Sequence, residues 1–195
     1  KGLGGFLVRN MESYGILDAM GLTSRIVLDA NIYTMNNRAE AFWMKKGILG
    51  DTVPLELNAK ELVHRNNKNS ELTVYGYTPM MVSVQCVQKT MDHCNHACVQ
   101  YVLKDRYQKE FRGVCSCEFC YNTIYNTLPT SLLKEKEKAE KLGVKAYRLS
   151  FTTETQQETE KIVRAFVDVY LRGQKPDGQM QTEETTKGHF QRGVE

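Results

Sequence analysis

No cysteine occurs in the first 85 residues of this chain or in its last 75. Thiols used only for core packing would be scattered, so the confinement of all six to residues 86–120 excludes that bland role for them as a group. No apolar run is long enough to span a membrane. Residues 1–10 already read as strand-like, so no signal peptide is expected. No Gly-x-Gly-x-x-Gly follows a strand-like run and there is no phosphate loop, which argues against a nucleotide-binding sheet. No Gly-x-Ser-x-Gly and no His-Glu-x-x-His occurs, so two common hydrolase arrangements are missing. A large excess of one charge is also lacking: the net charge is +3, too little for an extended nucleic-acid surface by itself.

What is present is a chain of 195 residues, 41% hydrophobic and 25% charged, with enough length for a real core. It begins at Lys1 and ends in mid-pattern, which we read as a fragment of something longer. The apolar runs alternate between strand and helix character. Gly4–Asn10, Arg25–Asp29, Thr52–Leu57, Glu71–Tyr75 and Val144–Phe151 read as strands. Met11–Met20, Arg38–Lys46, residues 59–66, Leu132–Leu142 and Thr153–Leu171 read as helices, the last with Ile162, Phe166, Val169 and Tyr170 on its apolar face. Asn58 with Glu61 three residues later predicts a capping box. Repeated βα units predict parallel strands covered by helices. An open doubly wound sheet and a TIM-type (β/α) barrel both fit, and the expectation is the barrel, present in part. The expected organisation is one βα-barrel portion over residues 1–195. A cysteine-rich insert at 77–128 follows the fourth strand, and a polar loop covers 173–186.

Parallel barrels carry reactive groups at the C-terminal ends of their strands. Arg9, Asn10, Asp29, Asn31, Glu56, Asn58, Arg148 and Glu154 fall near such ends and could form a polar ring for a small polar or anionic substrate. The plainer reading is that they cap helices and face solvent. Glu56 fits that least, because a carboxylate in an apolar strand needs a partner.

The cysteines run Cys86-x7-Cys94-x3-Cys98-x21-Cys120, or alternatively Cys115-x-Cys117-x2-Cys120. Thiolates are soft ligands for zinc and for iron–sulfur iron, and crowding in a chain of this size points to a metal or cluster rather than to disulfides. A single Cys-x2-Cys knuckle does not decide between zinc and a cluster, and the spacing leaves open which of Cys115, Cys117 and Cys120 completes the site. His93 and His96 stand among these cysteines as further ligands or as exposed loop residues. A Cys–His pair for nucleophilic catalysis is conceivable, but six clustered thiols single out no nucleophile. Lys104, Arg106, Lys109 and Arg112 could contact phosphates; the plainer reading of that set is a solvated β-hairpin.

Several motifs, in order, carry a resemblance. They are Val74-Tyr75-Gly76-Tyr77-Thr78-Pro79-Met80-Met81, then Cys86, Cys94-x3-Cys98, Leu103-Lys104-Asp105-Arg106 with Phe111, and Cys120-Tyr121-Asn122-Thr123-Ile124-Tyr125-Asn126-Thr127. Asp29-x6-Asn36 and Leu55-Glu56-Leu57-Asn58 lie upstream. Tyr147-Arg148-Leu149, Phe151-Thr152-Thr153-Glu154 and Lys187-Gly188-His189-Phe190 lie downstream. Together they resemble the collagenase-like peptidase family U32. The resemblance implies a βα barrel whose N-terminal portion is missing here. It implies a four-iron, four-sulfur cluster on Cys86, Cys94, Cys98 and Cys120, and oxygen-independent hydroxylation of RNA bases or of a quinone precursor. The family label also implies a peptidase acting on peptide substrates. Asp29, Asn36, Glu56, Arg148, Glu154 and His189 are the substrate-binding candidates. A cytoplasmic enzyme with no membrane span is expected, and a zinc-stabilised, non-catalytic binding module is the alternative.

Overall fold

The computed structural model describes residues 2–92, 94–177 and 184–194. They form two compact units. The first comprises 1–74, 132–149 and 187–195; the second comprises 75–131 and 150–186.

In the first unit, β1 (Phe6–Val8), β2 (Ile26–Leu28), β3 (Gly50–Thr52) and β4 (Ser70–Gly76) lie side by side in parallel. β10 (Ala146–Ser150) follows β4 in the same sheet. This curled parallel sheet is a half-barrel. The crossovers carry α1 (Met11–Ala19), α2 (Asn37–Lys45) and α3 (Ala59–Val63), and α5 (Lys136–Lys141) precedes β10. On β2, Ile26 and Leu28 are fully buried, and Val27 between them is half-buried. Each contributes roughly 1.5–3 kcal/mol of burial. Val8, Tyr14, Trp43 and Ile48 complete that core, with Tyr14 edge-on to Trp43 at 4.9 Å.

The expected third strand, Thr52–Leu57, is displaced: the paired residues are Gly50–Thr52. Pro54 has no N–H to donate, so the ladder ends before it, and Glu56 falls in the following turn rather than inside a strand. The expected helix 59–66 stops at Val63, because Arg65 and Asn67 turn inward. The Arg65 guanidinium pairs with Asp51 and donates to the Thr34 and Ser70 hydroxyls. The capping box of Asn58 and Glu61 is present.

In the second unit, β5 (Pro79–Ser83), β8 (Tyr121–Tyr125), β7 (Glu110–Ser116) and β6 (Gln100–Lys104) form an antiparallel sheet in that order. The last residues of β4 pair antiparallel with β9 (Thr130–Ser131). α4 (Val87–Thr90) follows β5. α6 (Gln156–Phe166) continues as a π-helical turn, Val167–Leu171, and buries Phe166 and Val169, with Ile162 and Tyr170 half-buried. The helix begins at Gln156 and not Thr153, because Thr155 is its N-cap and Glu158 closes a second capping box. Of the polar loop expected at 173–186, residues 173–177 have no regular structure and 178–183 lie outside the described residues. Among the described residues, no helix is long and apolar enough to cross a membrane.

Candidate metal centre

The antiparallel sheet sets the positions of the thiols. Cys86 is the N-cap of α4, just past β5. Cys115 is on β7, opposite Asn122 of β8, and is fully buried. Cys117 opens a 3₁₀ turn, Cys117–Phe119, and is buried too. Cys120 ends that turn in the left-handed region, with φ 53°, and is exposed. Cys94 and Cys98 come from the loop between α4 and β6, half-buried and exposed respectively. All six thiols are free.

These positions converge. The Cys86 and Cys115 sulfurs are 3.7 Å apart. One ligand atom each from Cys94, His96 and Cys117 lie within 4.8 Å of one another. Cys86, Cys115 and Cys117 pack as one buried cluster, with Cys94, Val99 and Tyr101 against it.

The electrostatics are uneven. The backbone N–H of Lys89 favours the Cys86 thiolate and, with the Cys115 thiol, brings its pKa down despite burial. Burial, then the Cys86 sulfur, pushes Cys115 up to about 11. Burial, then Cys94, pushes Cys117 up. Burial also raises the Tyr101 hydroxyl, and Cys115 and Cys86 add to that. Adjacent thiols that resist ionising together lack a counter-charge, and a bound cation is what allows such groups to ionise jointly.

Of the expected cluster ligands Cys86, Cys94, Cys98 and Cys120, the structure buries Cys86 against Cys115 and sets Cys94 beside Cys117 and His96. Cys98 and Cys120 lie at the exposed edge, close enough to raise the pKa of Cys115 and Cys117 respectively. The resemblance gives Cys115 and Cys117 no place in the ligand set, whereas their spacing keeps both open as ligands beside Cys120. The Cys-x2-Cys relation of Cys117 to Cys120 is the signal for it, and the structure sets Cys117 beside Cys94 and His96. His93 lies outside the described residues. A Cys–His pair does exist here, but burial raises the Cys117 thiol, whereas an activated nucleophile has a lowered pKa.

The polar candidates divide by role. Asp29 is buried and accepts hydrogen bonds from Arg9 Nε at 2.7 Å and Arg148 Nη1 at 2.8 Å. Arg148 also donates to the Thr52 hydroxyl at 3.0 Å and pairs with Glu71. Asn36 caps α2, accepting from the N–H groups of Arg38 and Ala39. Glu56 leaves one carboxylate oxygen buried without a partner. Glu154 accepts from the N–H groups of Thr152 and Thr153 through one oxygen, while its other oxygen has no partner. His189 Nδ1 lies 2.9 Å from the Gly193 carbonyl oxygen, in a 3₁₀ turn. Asp29 and Arg148 therefore form one site in the first unit, and Asn36 acts as a cap.

The basic set lies on the β6–β7 hairpin and its turn. Lys104 pairs with Glu110, and Arg106 lies over the Tyr107 ring. Arg112 lies over Tyr77 and donates to the Thr153 hydroxyl. No family model, curated protein or solved structure matches the chain.

Proposed function

We propose that this chain is part of a U32-type enzyme that uses an iron–sulfur cluster to hydroxylate or otherwise modify an RNA base or a small aromatic molecule without oxygen. One observation carries the reading: four thiols, Cys86, Cys94, Cys115 and Cys117, from a helix cap, a loop, a strand and a 3₁₀ turn, pack in one small cluster, with Cys98 and Cys120 exposed in the same segment. The donor set fits the cofactor, because all six are soft sulfur ligands and the buried ones need a positive partner to ionise. The resemblance gives Cys86, Cys94, Cys98 and Cys120 as ligands, and Cys115 and Cys117 stand beside them as further donors. A cluster bound there supplies one-electron transfer. Tyr101 and Val99 pack against the buried thiols and keep water from that side. The Lys89 N–H stabilises negative charge on the Cys86 sulfur.

A second reading has its own observation. Ligand atoms of Cys94, His96 and Cys117 within 4.8 Å suit a single ion. Tetrahedral zinc with sulfur at about 2.3 Å brings its ligands to comparable separations. In that reading the metal only stabilises a binding module.

The deciding experiment measures iron, zinc and acid-labile sulfide on the chain prepared without oxygen. About four iron and four sulfide per chain, abolished by Cys86→Ala, is the expected result. One zinc without sulfide establishes the module instead, and neither metal overturns both readings.

A further inference from the structure

A cavity of about 230 Å³ is lined in part by Gln85 and Val87, the residues on either side of Cys86. The register of the sheet explains its position. Met81, Ile124, Gly113 and Tyr101 form one cross-strand row, and Ser83, Asn122 and Cys115 form the next. Residues two apart on a strand share a face, so Cys115 of the thiol cluster lies on the face that the cavity occupies. Val87 of α4 and the following Met91 line the other side, and α4 begins directly after Cys86.

Two features of this cavity point to a ligand. Asn122 is fully buried and lines it. Its Nδ2 donates to the Gln85 carbonyl oxygen at 2.9 Å, and its Oδ1 has no partner. A carbonyl oxygen only accepts, so the amide cannot be turned round, and the unpaired atom is an acceptor waiting for a donor. The Tyr101 hydroxyl is likewise buried without a partner. The Tyr101 ring reaches over Gly113, where a Cβ would stand 2.3 Å from it, so only glycine admits this pose. The volume is below the roughly 300 Å³ at which sites for drug-sized ligands begin, which suits a single ring. The Met81 and Met91 thioethers make favourable contacts with aromatic groups.

We propose that this cavity binds one aromatic ring carrying an N–H or O–H donor, with the donor directed to Asn122 Oδ1 and the ring against Met81, Met91 and Tyr101. In naming this ring as the substrate, the proposal rests on the reading of the thiols as a redox centre; the binding itself does not. Uracil and phenol present the same chemistry from two sources.

The test is a titration of the full chain, prepared without oxygen, with uracil, phenol and cyclohexanol, followed by ligand-observed NMR. At least one aromatic ring is expected to bind, and cyclohexanol about tenfold more weakly. Asn122→Leu removes the acceptor and weakens binding about tenfold. Met81→Trp fills the cavity and abolishes binding. Where Asn122→Leu does not fold, Met91→Ala decides: Met91 is exposed, so the fold is kept, and loss of its contact with the ring is expected to weaken binding several-fold. No binding of either ring, equal binding of cyclohexanol, or affinity unchanged in the variants overturns the proposal. Metal and sulfide content is read in parallel. A metal-free chain that binds the ring sinks the redox reading and keeps the pocket. A metal-loaded chain that binds neither ring does the reverse.

Discussion

The sulfur of Cys86 lies 3.7 Å from that of Cys115, two residues 29 positions apart brought together by α4 and β7. Disulfide formation needs the sulfurs at about 2.05 Å, a short step from this separation. Cys86 is also the thiol that ionises more readily of the two, so it is the attacking group. Treating the metal-free chain with diamide should therefore join Cys86 to Cys115 first, with Cys94 to Cys117 as the other close pair. Peptide mapping reads the pairs directly. A product dominated by Cys98–Cys120 would contradict the arrangement of the cluster, and prior metal loading should protect the thiols that ligate the metal.

Metal binding to this cluster should depend steeply on pH. Burial holds Cys115 at about 11 and raises Cys117, so both carry protons at neutral pH. A metal must displace those protons, and affinity then rises with pH by about tenfold per unit for each proton released. The sign is fixed: acidification restores the thiols and expels the metal. Chelator competition with zinc between pH 6 and 8 should show affinity climbing throughout. A flat profile would mean that the ligands are already ionised without metal, contrary to their burial.

Much of the fold was legible because it follows local rules. The short apolar runs at β1, β2, β4 and β10 form strands, and Asn58 with Glu61 forms the capping box that their spacing predicts. β3 was misplaced because Thr52–Leu57 looks like a strand by hydrophobicity, while Pro54 ends the ladder. The centre was legible in part. Crowding of cysteines identified the segment, but spacing could not show that Cys115 faces Cys86. That neighbourhood depends on the β7–β8 register, which sets Cys115 opposite Asn122, and register is a property of pairing between distant segments. The roles of Asp29 and Arg148 were likewise half visible. Their polarity at strand ends was evident, but their direct ion pair, across 119 positions of sequence, was not.

That ion pair makes a prediction about acid. Burial alone would raise the Asp29 carboxyl, but Arg148 and Arg9 outweigh it, and the net pKa is lowered. A carboxyl depressed in the folded state stabilises the fold above its unfolded value, about 3.9, and loses that contribution as pH falls from there through the folded value. Asp29→Asn should cost about 1–3 kcal/mol at pH 7. In urea denaturation the gap between the two proteins should stay constant from pH 7 to 5 and close below about pH 4. A gap that widens on acidification would reverse the assignment.

The buried pair of Arg65 and Asp51 should be the more severe test of the half-barrel. Their side chains are 2% and 3% exposed, so neither charge can turn to water if its partner is lost. Arg65 also donates to the Thr34 carbonyl and hydroxyl, Asn67 and Ser70, tying the turn before β4 to the segment that follows β2. Arg65→Met strands the Asp51 carboxylate and should cost about 3–5 kcal/mol, a large share of a domain's stability. Replacing both at once, Arg65→Met with Asp51→Leu, removes the stranded charge and should recover much of that loss. Urea midpoints for the two variants separate the explanations. If the double variant is as unstable as the single one, the network acts through its hydrogen bonds to Thr34, Asn67 and Ser70. Recovery instead identifies the unpaired charge as the source of the cost.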